Sequence, residues 1–326
     1  MEVTDYKNLT VAVVGCGAIG KRHIDVLEQM GVGKIVACDP SQTALEFVKN
    51  AHPSLITCTN YEDCFNYNPF AVFILTPTKM HIPMAITALK KGAHVFVEKP
   101  LSNSSEGIEE LKAVVKQQDK QVMVGFCMRY HKALIKAKDM LKSGRVGRLV
   151  SVRAMMGEDF PSIHPEYKEM YLCKYSGVFE LVHDIDLAIW FADLPVKNVV
   201  GSYGAFSDYE FIAPDTVEMI MQFDGNCIAS VHLDFFQSPR RRTMELICTK
   251  GIITIEFGSW DKAYIKIYEK ESDKWEEIEM ETRRNDMFID EDSEFLTLAM
   301  QNKPMICSID EASMSLLAVE KIYKPY

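Results

Sequence analysis

Two hydrophobic patterns divide the chain. Up to residue 126, short apolar runs alternate with stretches whose apolar residues recur every three or four positions. The runs fall at 10–14, 34–38, 71–75, 93–97 and 122–126. They are nearly unbroken, as in parallel strands buried on both faces. Helical spacing follows the first run at Ile19, Ile24, Val26, Leu27 and Met30 and returns over 42–51, 82–91 and 105–118. Gly31, Gly33 and Gly92 close two of these helices. Repeated strand–helix alternation with short loops predicts an α/β domain, a doubly wound parallel sheet, over residues 1–126.

Beyond residue 126 a helix over 131–142 leads into longer strands at 149–155, 217–223, 227–236, 244–247 and 251–257. Asp224, Gly225 and Asn226 form a hairpin turn between two of them. Runs of strands predict an α+β domain with a large, mainly antiparallel sheet over residues 127–326. Val217, Met219, Met221 and Phe223 line one face, and the next strand is apolar on nearly both. Such a sheet is expected to be covered twice, by helices and by another copy of the chain, giving a homo-oligomer (dimer or tetramer). Helices over 286–301 and 308–323 close the chain, the second opened by a capping box of Ser308 and Glu311.

The strand ends carry the chemistry. After the first strand comes Gly15-Cys16-Gly17-Ala18-Ile19-Gly20, and the second strand ends in Asp39, 19 residues past Gly20. Strand, G-x-G-x-x-G, helix, strand and acid make the context of a dinucleotide fingerprint, and the domain reads as a Rossmann fold. Gly15 makes the tight turn, Gly17 lets backbone approach the pyrophosphate, and Gly20 permits close helix packing. The phosphates then sit on the helix N-terminus at Ala18 and Ile19. Asp39 is expected to accept from the ribose hydroxyls and to repel a 2′-phosphate, which favours NAD over NADP. Thr76, Pro77 and His81 follow the third long strand, and Glu98, Lys99 and Pro100 end the next. All are candidates for the cofactor side of the sheet.

Composition narrows the class. At 326 residues the chain has room for two cores; 48% is hydrophobic and 25% charged. A formal charge of -10 argues against a sequence-independent nucleic-acid binder. The apolar runs are too short to span a membrane, and the first residues show no secretory signal. Nine cysteines with no C-x-x-C spacing read as reduced thiols in a cytoplasmic protein. Five of them (Cys16, Cys38, Cys127, Cys227 and Cys248) fall in or beside apolar strands. No metal ligand set is apparent in the spacing.

Residues 177–190 read as one helix with a mixed face. At about 100° per residue, Glu180, His183 and Asp184 share roughly 100° of arc, a candidate acid/base cluster. Asp186 points into the apolar arc and is expected to be a buried carboxylate with a hydrogen-bonded partner. His23, in the first helix, is expected to pack.

Several segments, in order, resemble the glucose-fructose oxidoreductase / inositol dehydrogenase family (Gfo/Idh/MocA). They are VVGCGAIGKRH, TPTKMH, GAHVFVEKPLS, VGFCMRYHKAL, GRVGRL, HDIDLAIW and TKGIITIEF, of which EKP is the most diagnostic. The resemblance implies an NAD-dependent oxidoreductase that moves a hydride between the nicotinamide and a hydroxyl carbon of a sugar, inositol or sugar derivative. It implies that Lys99 lies by the nicotinamide, binds the substrate hydroxyl and assists proton transfer, and that the Lys99–Pro100 bond is cis. His183 is the implied general base, and Arg129 and Tyr130 line the approach to cofactor and substrate. Glu180 stands where relatives carry Asp, and Ser176-Gly177 replaces their Gly-Gly. A loop over 157–176, with His164, Tyr167 and Lys168, is the implied cover of the substrate. Relatives of this fold also include redox-neutral NAD-using glycosidases and non-catalytic sensors or corepressors, and both remain alternatives from sequence.

Overall fold

The protein's structure, a computed structural model, describes residues 5–323, and at Tyr171 the backbone alone. It has two compact units. One holds the residues up to Cys127 together with Phe288–Ser313; the other holds Met128–Met287 and the residues from Met314 onward.

In the first unit, β1 (Thr10–Val14), α1 (Ala18–Gln29), β2 (Lys34–Cys38), α2 (Gln42–Ala51) and β3 (Ile56–Cys58) lead to a 3-10 turn at Tyr61–Tyr67. Then come β4 (Ala71–Ile74), α3 (His81–Lys90), β5 (His94–Glu98), α4 (Ile108–Gln118) and β6 (Val122–Gly125). The strands form a wholly parallel sheet in the order β3-β2-β1-β4-β5-β6. The continuous burial of β4, β5 and β6 explains their unbroken apolar runs. The strand order reverses between β1 and β4, and an open α/β sheet binds ligands beyond its carboxyl ends at such a switch point.

The second unit opens with α5 (Lys132–Lys142) and β7 (Leu149–Asp159), then the short helices α6 (Phe160–Ile163) and α7 (Tyr171–Lys174). After α8 (His183–Ala192) come β8 (Val196–Gly204), β9 (Thr216–Phe223), β10 (Cys227–Asp234) and β11 (Phe236–Cys248). The strands end with β12 (Gly251–Glu256), β13 (Lys262–Glu269) and β14 (Lys274–Glu281). Their order is β14-β13-β12-β11-β7-β10-β9-β8, and β7–β10 is the parallel pair in an otherwise antiparallel sheet. Helix α8 packs on β7 and β10, covering the face of Val217, Met219 and Met221. The opposite face is open: Val200 is 51% exposed, and Ile220 and Ile228 are 45% exposed each.

Two helices close the chain, α9 (Arg284–Met300) and α10 (Ile309–Glu320). The sequence puts all of 127–326 in one domain, but residues 288–313 pack with the first unit. The cause is a sheet face that needs cover. Phe73 and Phe96 stack at 4.7 Å, and Phe295 of α9 meets them edge-on at 5.4 and 5.6 Å. Beside them His23, wholly buried as its packing role requires, places Nδ1 3.0 Å from both carboxylate oxygens of Asp292. Strands β8, β13 and β14 were not apparent in the sequence. β13 buries only Ala263, Ile265 and Ile267, alternating with Lys262, Tyr264, Lys266 and Tyr268, and most of β14 is exposed.

Asp292→Ala removes one partner of a fully buried pair, so the expected loss is about 3–5 kcal/mol. Urea unfolding of the purified protein measures it; a loss below about 1 kcal/mol, as for an exposed pair, would contradict the bond's role.

Candidate active site

The carboxyl edge of the first unit's sheet gathers the fingerprint. Gly15 has φ +96°, and a Cβ there would lie 2.5 Å from the Leu75 carbonyl oxygen. A Cβ on Gly20 would lie 1.9 Å from the Gly15 carbonyl oxygen, so turn and helix close on each other there. At Gly17 nothing lies within 4 Å of such an atom. The middle glycine alone faces open space, at the N-terminus of α1 where Ala18 and Ile19 follow. This is the cradle a pyrophosphate requires.

Asp39 is tied to that loop. Its Oδ2 accepts from the Cys16 backbone N–H and its Oδ1 from that of Ser41, each at 2.8 Å. Each oxygen keeps a further lone pair for a ribose hydroxyl. The residues present fit a dinucleotide with two free ribose hydroxyls.

His81, a candidate for the cofactor side, lies buried between two turns. It is 1% exposed, with Nε2 2.8 Å from the Thr76 carbonyl oxygen and Nδ1 2.9 Å from that of Pro100. A neutral ring donates to one of these, an imidazolium to both. His81 therefore braces the turn after β4 against the turn after β5, with Thr76 half-buried and Pro77 exposed. Glu98 is buried, Lys99 is half-buried at the end of β5, and the Lys99–Pro100 bond is cis, as the resemblance implies.

In the second unit the expected single helix over 177–190 is broken. Gly177–Glu180 is a 3-10 turn, and α8 starts at His183. Gly177 has φ +57°, and a Cβ there would sit 2.0 Å from the Pro214 carbonyl oxygen, which pins the turn. Glu180 and His183 therefore share no helical arc. Glu180 instead accepts from Ser176 Oγ at 2.7 Å. The two departures from the family pattern are hydrogen-bonded to each other.

Asp184 leaves the proposed acid/base cluster altogether. It is fully buried in a two-point pair with Arg242, Nε to Oδ1 at 3.0 Å and Nη2 to Oδ2 at 2.8 Å. Asp186 has the partner its position demands: Arg129 donates from Nε at 2.8 Å and from Nη2 at 2.7 Å. Burial pushes the Asp186 carboxyl up, and the guanidinium opposes it. Arg129, expected to line the cofactor approach, is thus 6% exposed and held in an ion pair. Tyr130, next to it, is half-buried. The residues after His183 are clamped twice, which fixes where the imidazole begins its reach.

Arg242 was missed in the sequence, although a signal exists. Met244 and Leu246 are buried, and a period of two carried backwards puts Arg242 on the same inward face. A buried guanidinium implies a carboxylate partner.

The segment over 157–176 is the end of β7 followed by short helices rather than an open loop. Tyr167, expected to contact substrate, is buried with its ring 5.0 Å from that of Phe211. Lys168 is exposed and paired with Glu210, and the half-buried His164 lies 4.4 Å from the Phe160 ring.

Family models match both parts of the chain. One, the Gfo/Idh/MocA oxidoreductase family with an NAD-binding Rossmann fold, matches residues 9–126; the Gfo/Idh/MocA C-terminal domain matches 134–254. The inositol 2-dehydrogenase of Corynebacterium glutamicum (strain R) is 26% identical over 255 residues, covering 76% of this chain and 74% of that protein. The crystal structure of myo-inositol 2-dehydrogenase from Lactobacillus plantarum superposes with a TM-score of 0.80 at 24% identity, over 96% of both chains. That of scyllo-inositol dehydrogenase from Lactobacillus casei with bound NAD(H) and scyllo-inositol gives 0.82 at 20% identity, over 98% of this chain and 96% of that one. Both structures share this chain's fold. Fold and loop are those of an oxidoreductase with an NAD-binding Rossmann domain. The chain belongs to the Gfo/Idh/MocA oxidoreductase family.

The three glycines differ in what they tolerate. Gly17→Ala is expected to keep the thermal unfolding midpoint while weakening NAD at least ~10-fold, because its methyl enters the phosphate cradle. Gly20→Ala is expected to unfold more easily, since its methyl meets backbone. Calorimetry and NAD titration of both variants check this; unchanged NAD affinity in Gly17→Ala would contradict the cradle.

Proposed function

We propose that the protein oxidises a ring hydroxyl of a polyol, an inositol or a closely related sugar, with NAD as acceptor, or runs the same reaction in reverse. The observation that carries the reading is Lys99, held at the carboxyl end of β5 on the same sheet edge as the glycine cradle and Asp39. The inositol dehydrogenases among its relatives support the polyol class.

NAD, when bound, supplies the hydride acceptor. The chain supplies the rest. Lys99 presents an ammonium to the substrate oxygen and lowers the cost of the developing alkoxide. His183, neutral, takes the hydroxyl proton as the carbon loses its hydride, leaving a ketone, reduced cofactor and one proton. Glu180, oriented by Ser176, and Tyr130 bind neighbouring hydroxyls. His164 and Lys168 lie on the segment that selects among polyols. The open sheet face with Val200, Ile220 and Ile228 is the proposed contact of a dimer or tetramer, and nine free thiols suit a cytoplasmic setting. No helix among the described residues is long and apolar enough to cross a membrane.

With NAD and a panel of inositols, hexoses and sugar acids, reduced nicotinamide is expected to appear with polyols. Lys99→Ala should lower turnover by ~100-fold or more, in the range general acid–base groups contribute, with NAD affinity within a few-fold. Because the base must be neutral, oxidation should rise with pH until His183 is deprotonated and then level off; His183→Ala should lack that rise. Full turnover in Lys99→Ala, or an unaltered pH profile in His183→Ala, would sink the assignment. Sedimentation of a monomer at micromolar concentration would dismiss the sheet-face contact.

A further inference from the structure

Three thiols that no role above absorbs meet beside the cofactor loop. Cys38 ends β2, Cys58 ends β3, and Cys64 lies in the 3-10 turn that follows. Cys38 and Cys58 are register partners on neighbouring parallel strands. Asn60, whose side chain accepts from the Glu62 N–H, starts the turn that folds Cys64 back over them. Their three sulfur atoms lie within 4.8 Å of one another, with Cys58 and Cys64 at 3.3 Å.

We propose that Cys38, Cys58 and Cys64 form a trithiolate site for a soft, thiophilic d10 cation such as Zn(II), Cd(II) or Cu(I). Metal–sulfur bonds of about 2.3 Å around such an ion set sulfur–sulfur separations of about 3.8 Å, inside the range observed. An all-sulfur set selects soft ions over magnesium or calcium. The sulfurs stand on rigid backbone: the Gly15 N–H donates to the Cys38 carbonyl at 2.8 Å and the Asp39 N–H to the Cys58 carbonyl at 3.2 Å. Cys38 and Cys64 are buried, whereas Cys58 is half-exposed on a cavity of about 380 Å³ that Thr57, Thr59 and Asp63 also line. That cavity gives the ion a path in and room for a solvent molecule at a fourth position. Hydrogen bonds from Cys38 and Cys64 hold the Cys58 thiol well below its usual range, while those two thiols are pushed up. Metal binding at thiols releases protons, so occupancy should rise with pH.

Full-length protein, reduced and freed of metal by a chelator, is titrated with Cd(II) alone while thiolate-to-metal absorption is followed in the ultraviolet. The expected result is a band that saturates at one ion per chain and needs at least ~10-fold more Cd(II) in Cys58→Ser. In wild-type protein, Cd(II) should also protect the peptides holding Cys38, Cys58 and Cys64 from alkylation, read by mass spectrometry. The protection map needs no variant and decides the matter if Cys58→Ser fails to fold. Absence of the band, or protection confined to other cysteines, would overturn the site. Hydride transfer is read separately, so loss of one proposal leaves the other standing.

Discussion

A buried charge or polar group needs a partner beside it, and this constraint acts inside each unit. Arg129 with Asp186, Arg242 with Asp184, and His23 with Asp292 are all buried. Each pair is a weak source of net stability, because desolvation takes back much of the attraction. Breaking one is costly, so each pair fixes geometry instead. The two Arg–Asp pairs fix the first turn of α8, on which His183 stands. The His23–Asp292 pair fixes part of α9 against the aromatic face of Phe73 and Phe96.

In the first unit a second constraint acts. A parallel sheet puts every strand's carboxyl end on one edge, so loops far apart in sequence become neighbours. The glycine loop after β1, Asp39 after β2, the Thr76 turn after β4 and Lys99 after β5 share that edge. Hydrogen bonds then lock them pairwise: Asp39 to the Cys16 N–H, and His81 to the turns on both sides of it. The candidate site residues sit on loops, but these loops have little freedom.

What was legible in the sequence was local. Unbroken apolar runs announced the parallel strands, and Gly15, Gly17, Gly20 and Asp39 announced the dinucleotide cradle because their spacing is their function. Lys99 and His183 came from segments that resemble a family. What was not legible depended on partners distant along the chain. Asp184 looked catalytic until Arg242, 58 residues away, claimed it. Tyr167, on the expected substrate loop, is buried with its ring against that of Phe211. Cys38, Cys58 and Cys64 follow no metal spacing, and only strand register and a folded-back turn bring them together. The helix carrying His183 was misjudged for a related reason: periodicity continues through Leu181 and Val182, but a positive φ at Gly177 and the clamped aspartates break it.

The central claim is that a carbinol hydrogen leaves this protein's substrate as hydride. The direct test is a polyol deuterated at its carbinol carbons, incubated with the protein and NAD, with the reduced cofactor isolated and examined by NMR. The account predicts deuterium on the nicotinamide ring and a slower reaction than with the unlabelled polyol. Reduced cofactor that carries no deuterium, or deuterated polyol returned with no reduced cofactor formed, would contradict it.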